Sequence, residues 1–324
     1  MPDHRVPSSY REAGVDIDRA DRFVEFVRNI QSPAMGGSVG EFGAAVELPS
    51  APYRRPLLVS TTDGVGTKIL VAKALGDYST IGIDLVAMSV NDLAVCGVKP
   101  LSFLDYIACG SIDQSVLEQV IAGIVRGCEI AGCTLSGGET AEMPDLYGET
   151  DIDLAGFCTG IVEADELLPK RADVRPGARL FGLASSGVHS NGLSLARKAI
   201  PESETELRAE LLRPTRIYVN ELLALIDSGA VLAAAHVTGG GLVENLRRVV
   251  PAGLEPEILW DWPIPNIFTH IQSRASIDTE EMRRVFNMGI GAVLVTPADK
   301  EADLRRRAED LNIGLISVGT LRDG

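Results

Sequence analysis

The chain has 324 residues, 45% hydrophobic and 23% charged, the balance of a globular protein with a substantial core rather than a disordered one. Lys and Arg number 30 against 45 Asp and Glu, a formal net charge of −15, so the surface repels nucleic-acid backbones and anionic membranes and a basic docking face is excluded. The five cysteines, Cys96, Cys109, Cys128, Cys133 and Cys158, form no Cys-x-x-Cys pair and no Cys/His zinc spacing, which points to reduced, mostly buried thiols.

In chain order, the spacing of Phe23, Phe26, Val27 and Ile30 predicts a short amphipathic helix over 21–30. A glycine-rich loop follows at 35–43. Residues 57–61 read as a buried strand that runs into Asp63-Gly64-Val65-Gly66-Thr67-Lys68, and 67–75 continues as a helix. A helix over 81–96 stops at Gly97, 101–108 is a strand, and 114–131 is a helix stopped by Gly132. Then 133–136 is a strand opening into a Gly137-Gly138-Glu139 loop, and 151–161 alternates as a strand.

The polar stretch 171–176 ends in Pro-Gly and divides the chain into 1–170 and 171–324. Beyond it, strands are predicted at 180–184, 290–295 and 313–318, and 231–237 leads by a strand or turn into Gly239-Gly240-Gly241. Helices are predicted at 193–199, 216–227, 242–249, 279–286 and 299–311. The charged segment 201–211 reads as a surface insertion. The fold class is α/β, arranged as two α/β domains.

Several clusters have the composition of a reactive site. In the Asp63 to Lys68 motif a strand ends, Gly64 and Gly66 let the backbone turn, and a helix begins with Thr67 and Lys68. Helix-start amides attract phosphate, Lys68 adds a point charge, and Asp63 suits Mg²⁺. The P-loop spacing is absent. A glycine turn with an Asp cap is the plainer alternative. Asp84 and Asp92 interrupt an apolar helix and lie about 12 Å apart along its axis, so they do not share an ion without a bend. Asp92 is read as a ligand, whereas Asp84 stays open between cap and nucleotide contact. Glu139 and Glu142 follow a double glycine, and Glu139 is a third candidate oxygen ligand for one or more Mg²⁺ ions. Ser185-Ser186-Gly187-Val188-His189-Ser190-Asn191-Gly192 is dense in donors before a helix and suits a sugar phosphate. His189 there, and His236 before Gly239-Gly240-Gly241, are proton-transfer candidates. Asn287 is either a packing turn or a substrate contact. His4 and His270 read as surface residues.

Taken together, these motifs resemble the phosphoribosylformylglycinamidine cyclo-ligase family. The match runs from Ser9-Tyr10-Arg11-Glu12-Ala13-Gly14-Val15-Asp16 through the Asp63 turn, Asn91-Asp92-Leu93, Gly137-Gly138-Glu139-Thr140-Ala141-Glu142-Met143-Pro144, His189-Ser190-Asn191-Gly192 and His236-Val237-Thr238-Gly239-Gly240-Gly241, to Phe286-Asn287-Met288-Gly289-Ile290-Gly291. The resemblance implies ATP-dependent ring closure of a formylglycinamidine ribonucleotide in purine biosynthesis. It also implies a homodimer whose N-terminal sheets pair into a barrel. On that reading Asp63, Asp92 and Glu139 hold Mg²⁺, while Gly64, Gly66, Thr67 and Lys68, with Asp84, hold ATP. Ser186, His189, Ser190, Asn191 and Asn287 contact the ribonucleotide, and Lys68, His189 and His236 act in catalysis. Thiamine-phosphate kinases and selenophosphate synthetases share the acidic-glycine motifs, but the 35–37 loop lacks the reactive Cys expected of a selenium enzyme. A non-catalytic nucleotide-binding scaffold is the alternative of another class. With no leader pattern and no apolar run of membrane length, a cytoplasmic location is expected.

Overall fold

Helix α1 (Ile17–Arg28) starts where the Asp16 side chain accepts from the Arg19 amide. It is followed by β1 (Pro56–Gly64), α2 (Lys68–Leu75), α3 (Ile81–Ala94), β2 (Lys99–Cys109), α4 (Gln114–Ala131), β3 (Thr134–Glu142) and β4 (Ile152–Glu163). A second run comprises β5 (Arg179–Ala184), α5 (Leu193–Ala199), α6 (Thr205–Leu211), α7 (Val219–Ile226), β6 (Ala233–His236), α8 (Gly241–Arg247) and β7 (Leu254–Ile258). It closes with α9 (Asn266–Ala275), α10 (Thr279–Val285), β8 (Ile290–Thr296), α11 (Glu301–Asp310) and β9 (Ile316–Asp323). This computed structural model describes residues 15–37, 39, 43–49 and 53–324. Positions 9–14 of the family match, and Ser38, Gly40, Glu41 and Phe42 of the glycine-rich loop, lie outside the described residues.

The first sheet has the order β1-β4-β2-β3. Its β1–β4 and β4–β2 pairs are antiparallel, and β2–β3 is a parallel pair joined through α4. Helix α4 is dictated locally. Asp113 accepts from the amides of Ser115 at 3.0 Å and Val116 at 3.3 Å, and Gly132 closes the helix in the left-handed conformation. Leu117, Val120, Ile121, Ile124 and Cys128 form its buried face, packed on α3. Each fully buried aliphatic side chain there contributes about 1.5–3 kcal/mol. The opposite face of the sheet carries Leu58, Leu104 and Phe157, all exposed. Thr62, Phe157, Leu104 and Gly137 form one cross-strand row on it.

The second sheet, order β6-β8-β5-β9-β7, is antiparallel throughout. One hydrophobic cluster runs through both halves, and a second belongs to the C-terminal sheet. All five cysteines are free thiols, four of them buried. No helix among the described residues is long and apolar enough to cross a membrane.

Four sequence expectations change. Strand 57–61 is not buried: β1 is an edge strand with one open face. Gly137, Gly138 and Glu139 lie inside β3 rather than in a loop. The 201–211 segment holds α6, which packs on α2 with Leu211 buried. Both β7 and α9 were unforeseen, and the last strand sits a few residues later than 313–318.

Candidate active site

Strand β1 carries Asp63 and Gly64 to the junction of the halves, where the Gly64 amide donates to the Asp63 carboxylate at 2.7 Å. Thr67 Oγ1 lies 3.0 Å from Ser194 Oγ, linking the turn to α5. Lys68 does not face open space. Its side chain is fully buried, with Nζ 2.8 Å from Asp84 Oδ1 and 2.6 Å from the Arg213 carbonyl oxygen. Lys68, expected at the phosphates, and Asp84, expected at the nucleotide, form a buried ion pair with each other. An ammonium enclosed this way costs several kcal/mol unless a counter-charge meets it. Burial pulls the Lys68 pKa below its ordinary value against the attraction of Asp84. Asp84 Oδ1 also accepts from Thr215 N at 2.7 Å, Thr215 Oγ1 at 2.6 Å and Ser190 Oγ at 3.1 Å. Its Oδ2 is buried with no partner among the described residues.

Seven residues along α3, Asn91 is oriented by its partners. Its Oδ1 accepts from Tyr218 N at 2.8 Å, and its Nδ2 donates to the Arg216 carbonyl at 2.9 Å. The Nδ2 group therefore faces His236 Nε2, 3.4 Å away, which makes Nε2 the acceptor. The ring proton then sits on Nδ1, which donates to Asp92 Oδ1 at 2.9 Å. Asp92 and His236 border a cleft of about 330 Å³ between the halves, also lined by Thr61, Arg171 and Arg248. Burial raises the Asp63 pKa, the Gly64 amide opposes that, and the nearby Asp92 charge raises it further. Two neighbouring carboxylates with this tension suit one divalent cation completed by phosphate oxygens.

Glu139 does not join them. Asp63, Gly156, Asp105 and Gly138 lie in one row across the sheet. Three strand spacings, about 14 Å, therefore separate the Asp63 edge from the Glu139 edge. No group of three potential ligands forms a metal site among the described residues. The expectation is one or more Mg²⁺ ions on Asp63, Asp92 and Glu139, and the strand order sets Glu139 apart from Asp63 within one chain, a separation that the sequence pattern did not reveal. Glu139 is exposed and borders two cavities of about 270 and 390 Å³, each also lined by Asp105. Asp105 escaped the sequence reading because it sits in an apolar strand. Burial pushes its carboxyl up to about 7, its own backbone amide opposes this, and the Glu139 charge adds to the rise. A Cβ at Gly138 would lie 2.3 Å from Asp105 Oδ1, so the glycine makes room for the acid. Glu142 is structural, accepting from the amides of Asp16 and Ile112 at 2.8 Å each.

The 185–191 loop closes the site from the other half. His189 has φ 64° and is buried; its Nε2 accepts from the Ser186 amide at 3.1 Å, and its Nδ1 has no partner among the described residues. Burial holds its pKa well below the ordinary histidine value, with the His236 and Lys68 charges acting in the same direction. His189 is thus arranged as a neutral N–H donor rather than a base. Asn287 Nδ2 donates to the carbonyls of Gly187 at 2.9 Å and Val188 at 3.2 Å, so its amide braces the loop. Ser186 Oγ donates to the Pro214 carbonyl at 2.7 Å. Asn191 keeps a buried Nδ2 with no partner among the described residues.

Residues 44–162 match the family described as AIR synthase related protein, N-terminal domain, and 175–324 match its C-terminal domain. A phosphoribosylformylglycinamidine cyclo-ligase of Burkholderia mallei is 47% identical over 329 residues, covering 97% of this chain and 93% of that protein. Its namesake from Desulfotalea psychrophila is 44% identical over 334 residues, covering 98% and 94%. Among solved structures, thiamine-monophosphate kinase from Stenotrophomonas maltophilia K279a aligns with a TM-score of 0.65 at 21% identity, covering 94% of this chain and 93% of that one. The hydrogenase maturation protein HypE of E. coli aligns with a TM-score of 0.68 at 14% identity, covering 95% and 92%. At those identities the two structures share the fold alone.

Proposed function

The chain belongs to the AIR synthase related family, and from that premise we propose that it is a cytoplasmic cyclo-ligase of purine biosynthesis. It converts formylglycinamidine ribonucleotide and ATP to aminoimidazole ribonucleotide, ADP and phosphate. The observation that carries the reading is the meeting of two loops at one carboxylate: Asp84 Oδ1 accepts from Lys68 of the phosphate-type turn and from Ser190 of the donor-rich loop.

Direct attack of the amidine nitrogen on the formamide carbon would have to expel the oxygen as hydroxide, a poor leaving group. The formyl oxygen first attacks the γ-phosphorus of ATP, and the bond to ADP breaks. The amidine nitrogen then attacks the same carbon, loses its proton to a base, and phosphate leaves. Catalysis of such a transfer is mainly alignment and charge stabilisation. The Gly66 and Thr67 amides would meet the nucleotide phosphates, with Gly64 shaping the turn and its own amide held by Asp63. Asp63 and Asp92 would hold Mg²⁺, which would supply charge neutralisation on the transferring phosphoryl group. Ser186, Ser190 and Asn191 hold the ribonucleotide, with the unpartnered Asn191 amide and His189 N–H as donors. His236, held by Asp92 through Nδ1, is the preferred proton acceptor, with Nε2 giving up its long 3.4 Å contact with Asn91 to take the proton. Lys68 orders the turn from within. The exposed Leu58, Leu104 and Phe157 support a homodimer whose sheets pair into a barrel. Glu139 remains a ligand candidate where a second copy completes its edge.

Incubation with ATP, Mg²⁺ and formylglycinamidine ribonucleotide, following aminoimidazole product and ADP, tests the reading. Equimolar ADP and product are expected. ADP release that ignores the ribonucleotide, or that responds to thiamine phosphate instead, overturns it.

A further inference from the structure

Between α6 and α7 the chain runs through Leu212-Arg213-Pro214-Thr215-Arg216-Ile217-Tyr218 without helix or strand, yet it is tied on two sides, with Thr215, Arg216 and Tyr218 each held from both. On the side of α2 and α3, Thr80 Oγ1 donates to the Leu212 carbonyl at 2.9 Å and Lys68 Nζ to that of Arg213 at 2.6 Å. Asp84 takes both the amide and hydroxyl of Thr215, and Asn91 brackets Arg216 and Tyr218. On the other side Ser186 Oγ holds the Pro214 carbonyl, and Ser190 Oγ lies 3.0 Å from Thr215 Oγ1. The Arg216 guanidinium and the Tyr218 hydroxyl donate to the Ala184 carbonyl at 3.0 and 2.9 Å.

The segment is therefore a strap pinned between the Asp63–Lys68 turn and the 185–191 loop. Thr215 is its central pin. The hydroxyl has one proton, committed to Asp84 at 2.6 Å, which leaves its oxygen to accept from Ser190. Ser190 can equally donate to Asp84 at 3.1 Å.

We propose that Thr215 is a positioning residue of the reaction, setting the distance between the turn and the loop through Asp84 and Ser190. This rests on the function proposed above for which substrate each loop meets. Misplacement by about 1 Å far from the reacting atoms costs up to about 100-fold, so a hydroxyl at this pin has kinetic leverage.

The test compares wild type, Thr215→Val and Thr215→Ser. Valine should lower kcat/KM for the ribonucleotide by about 10-fold or more while KM for ATP changes less than about twofold. Serine should recover wild-type kcat/KM to within about threefold. A valine variant that melts lower but keeps the wild-type kcat/KM overturns the proposal, as does a parallel rise in both KM values. Hydrogen exchange supplies a readout independent of substrate identity. Amides of 185–191 should exchange about tenfold faster in the valine variant, with α4 unchanged, and unchanged exchange in that loop sinks the strap whether or not the wild type forms the imidazole. Should Thr215→Val not fold, Thr80→Val loosens the Leu212 end of the strap, and it must shift the same loop amides in the same direction.

Discussion

Replacing Lys68 by Met separates two roles that the sequence alone leaves merged. If Lys68 is the counter-charge of Asp84, as its full burial and its 2.8 Å contact indicate, methionine leaves the carboxylate enclosed without its partner. Removing one member of a buried pair costs about 3–5 kcal/mol. For a cooperative unit of 150–250 residues each kcal/mol is worth about 2–4 °C, so the midpoint should fall by about 6–20 °C. Methionine roughly conserves volume, so packing adds little to this loss. The second substitution Asp84→Asn removes the stranded charge and keeps an oxygen facing Thr215 and Ser190. The double variant should regain at least half of the lost midpoint. Circular dichroism melts at pH 7, in metal-free buffer without nucleotide, measure both. A Lys68→Met midpoint within about 2 °C of wild type, accompanied by a tenfold or larger rise in KM for ATP, refutes the reasoning and returns Lys68 to the phosphates.

Asp105 provides a pH test. Its folded pKa of about 7 lies above the ordinary value of 3.8, so the folded protein binds the extra proton in between. The resulting stabilisation is complete below about pH 4 and is lost as pH rises through 7, a span of about 4 kcal/mol at 1.36 kcal/mol per unit. In EDTA-containing buffers Asp105→Asn should flatten the decline in thermal midpoint between pH 5 and 8, and an unchanged slope contradicts the assignment. At Gly291 an added Cβ would lie 2.0 Å from the Tyr218 hydroxyl and 2.7 Å from His189 Cε1. Gly291→Ala should therefore lower stability by about 1–3 kcal/mol in urea titration, and a neutral result would mean that the loop relaxes more freely than its packing implies. His236→Gln should reduce kcat by about 100-fold or more, and retention of a tenth of the activity removes His236 as the base.

What could be read from the sequence depended on whether the cause of a feature was local. Helix α4 was legible to the residue because Asp113, the apolar spacing of Leu117 to Cys128, and Gly132 act within one element. The 137–139 segment was misread because two glycines suggest a loop, whereas here Gly138 is required by a neighbour on β2, Asp105. The clusters that meet at the site were recognisable, but the contacts among them were not. Asp84 and Asn91 were visible as polar breaks in an apolar helix, a pattern shared by metal ligands and by side chains that grip another segment. Choosing between those needs residues 212–218, over a hundred positions away, whose carbonyls and amides leave no trace in side-chain chemistry. Glu139 failed to reach Asp63 for a related reason: strand order, not sequence distance, sets lateral separation, and a parallel β2–β3 pair puts the two acids on opposite edges. The same logic gives the strap its importance. Arg213 is gripped only through its backbone carbonyl and its side chain is exposed, so its substitution should be tolerated better than loss of Asp84 or Asn91, the side chains that hold the strap.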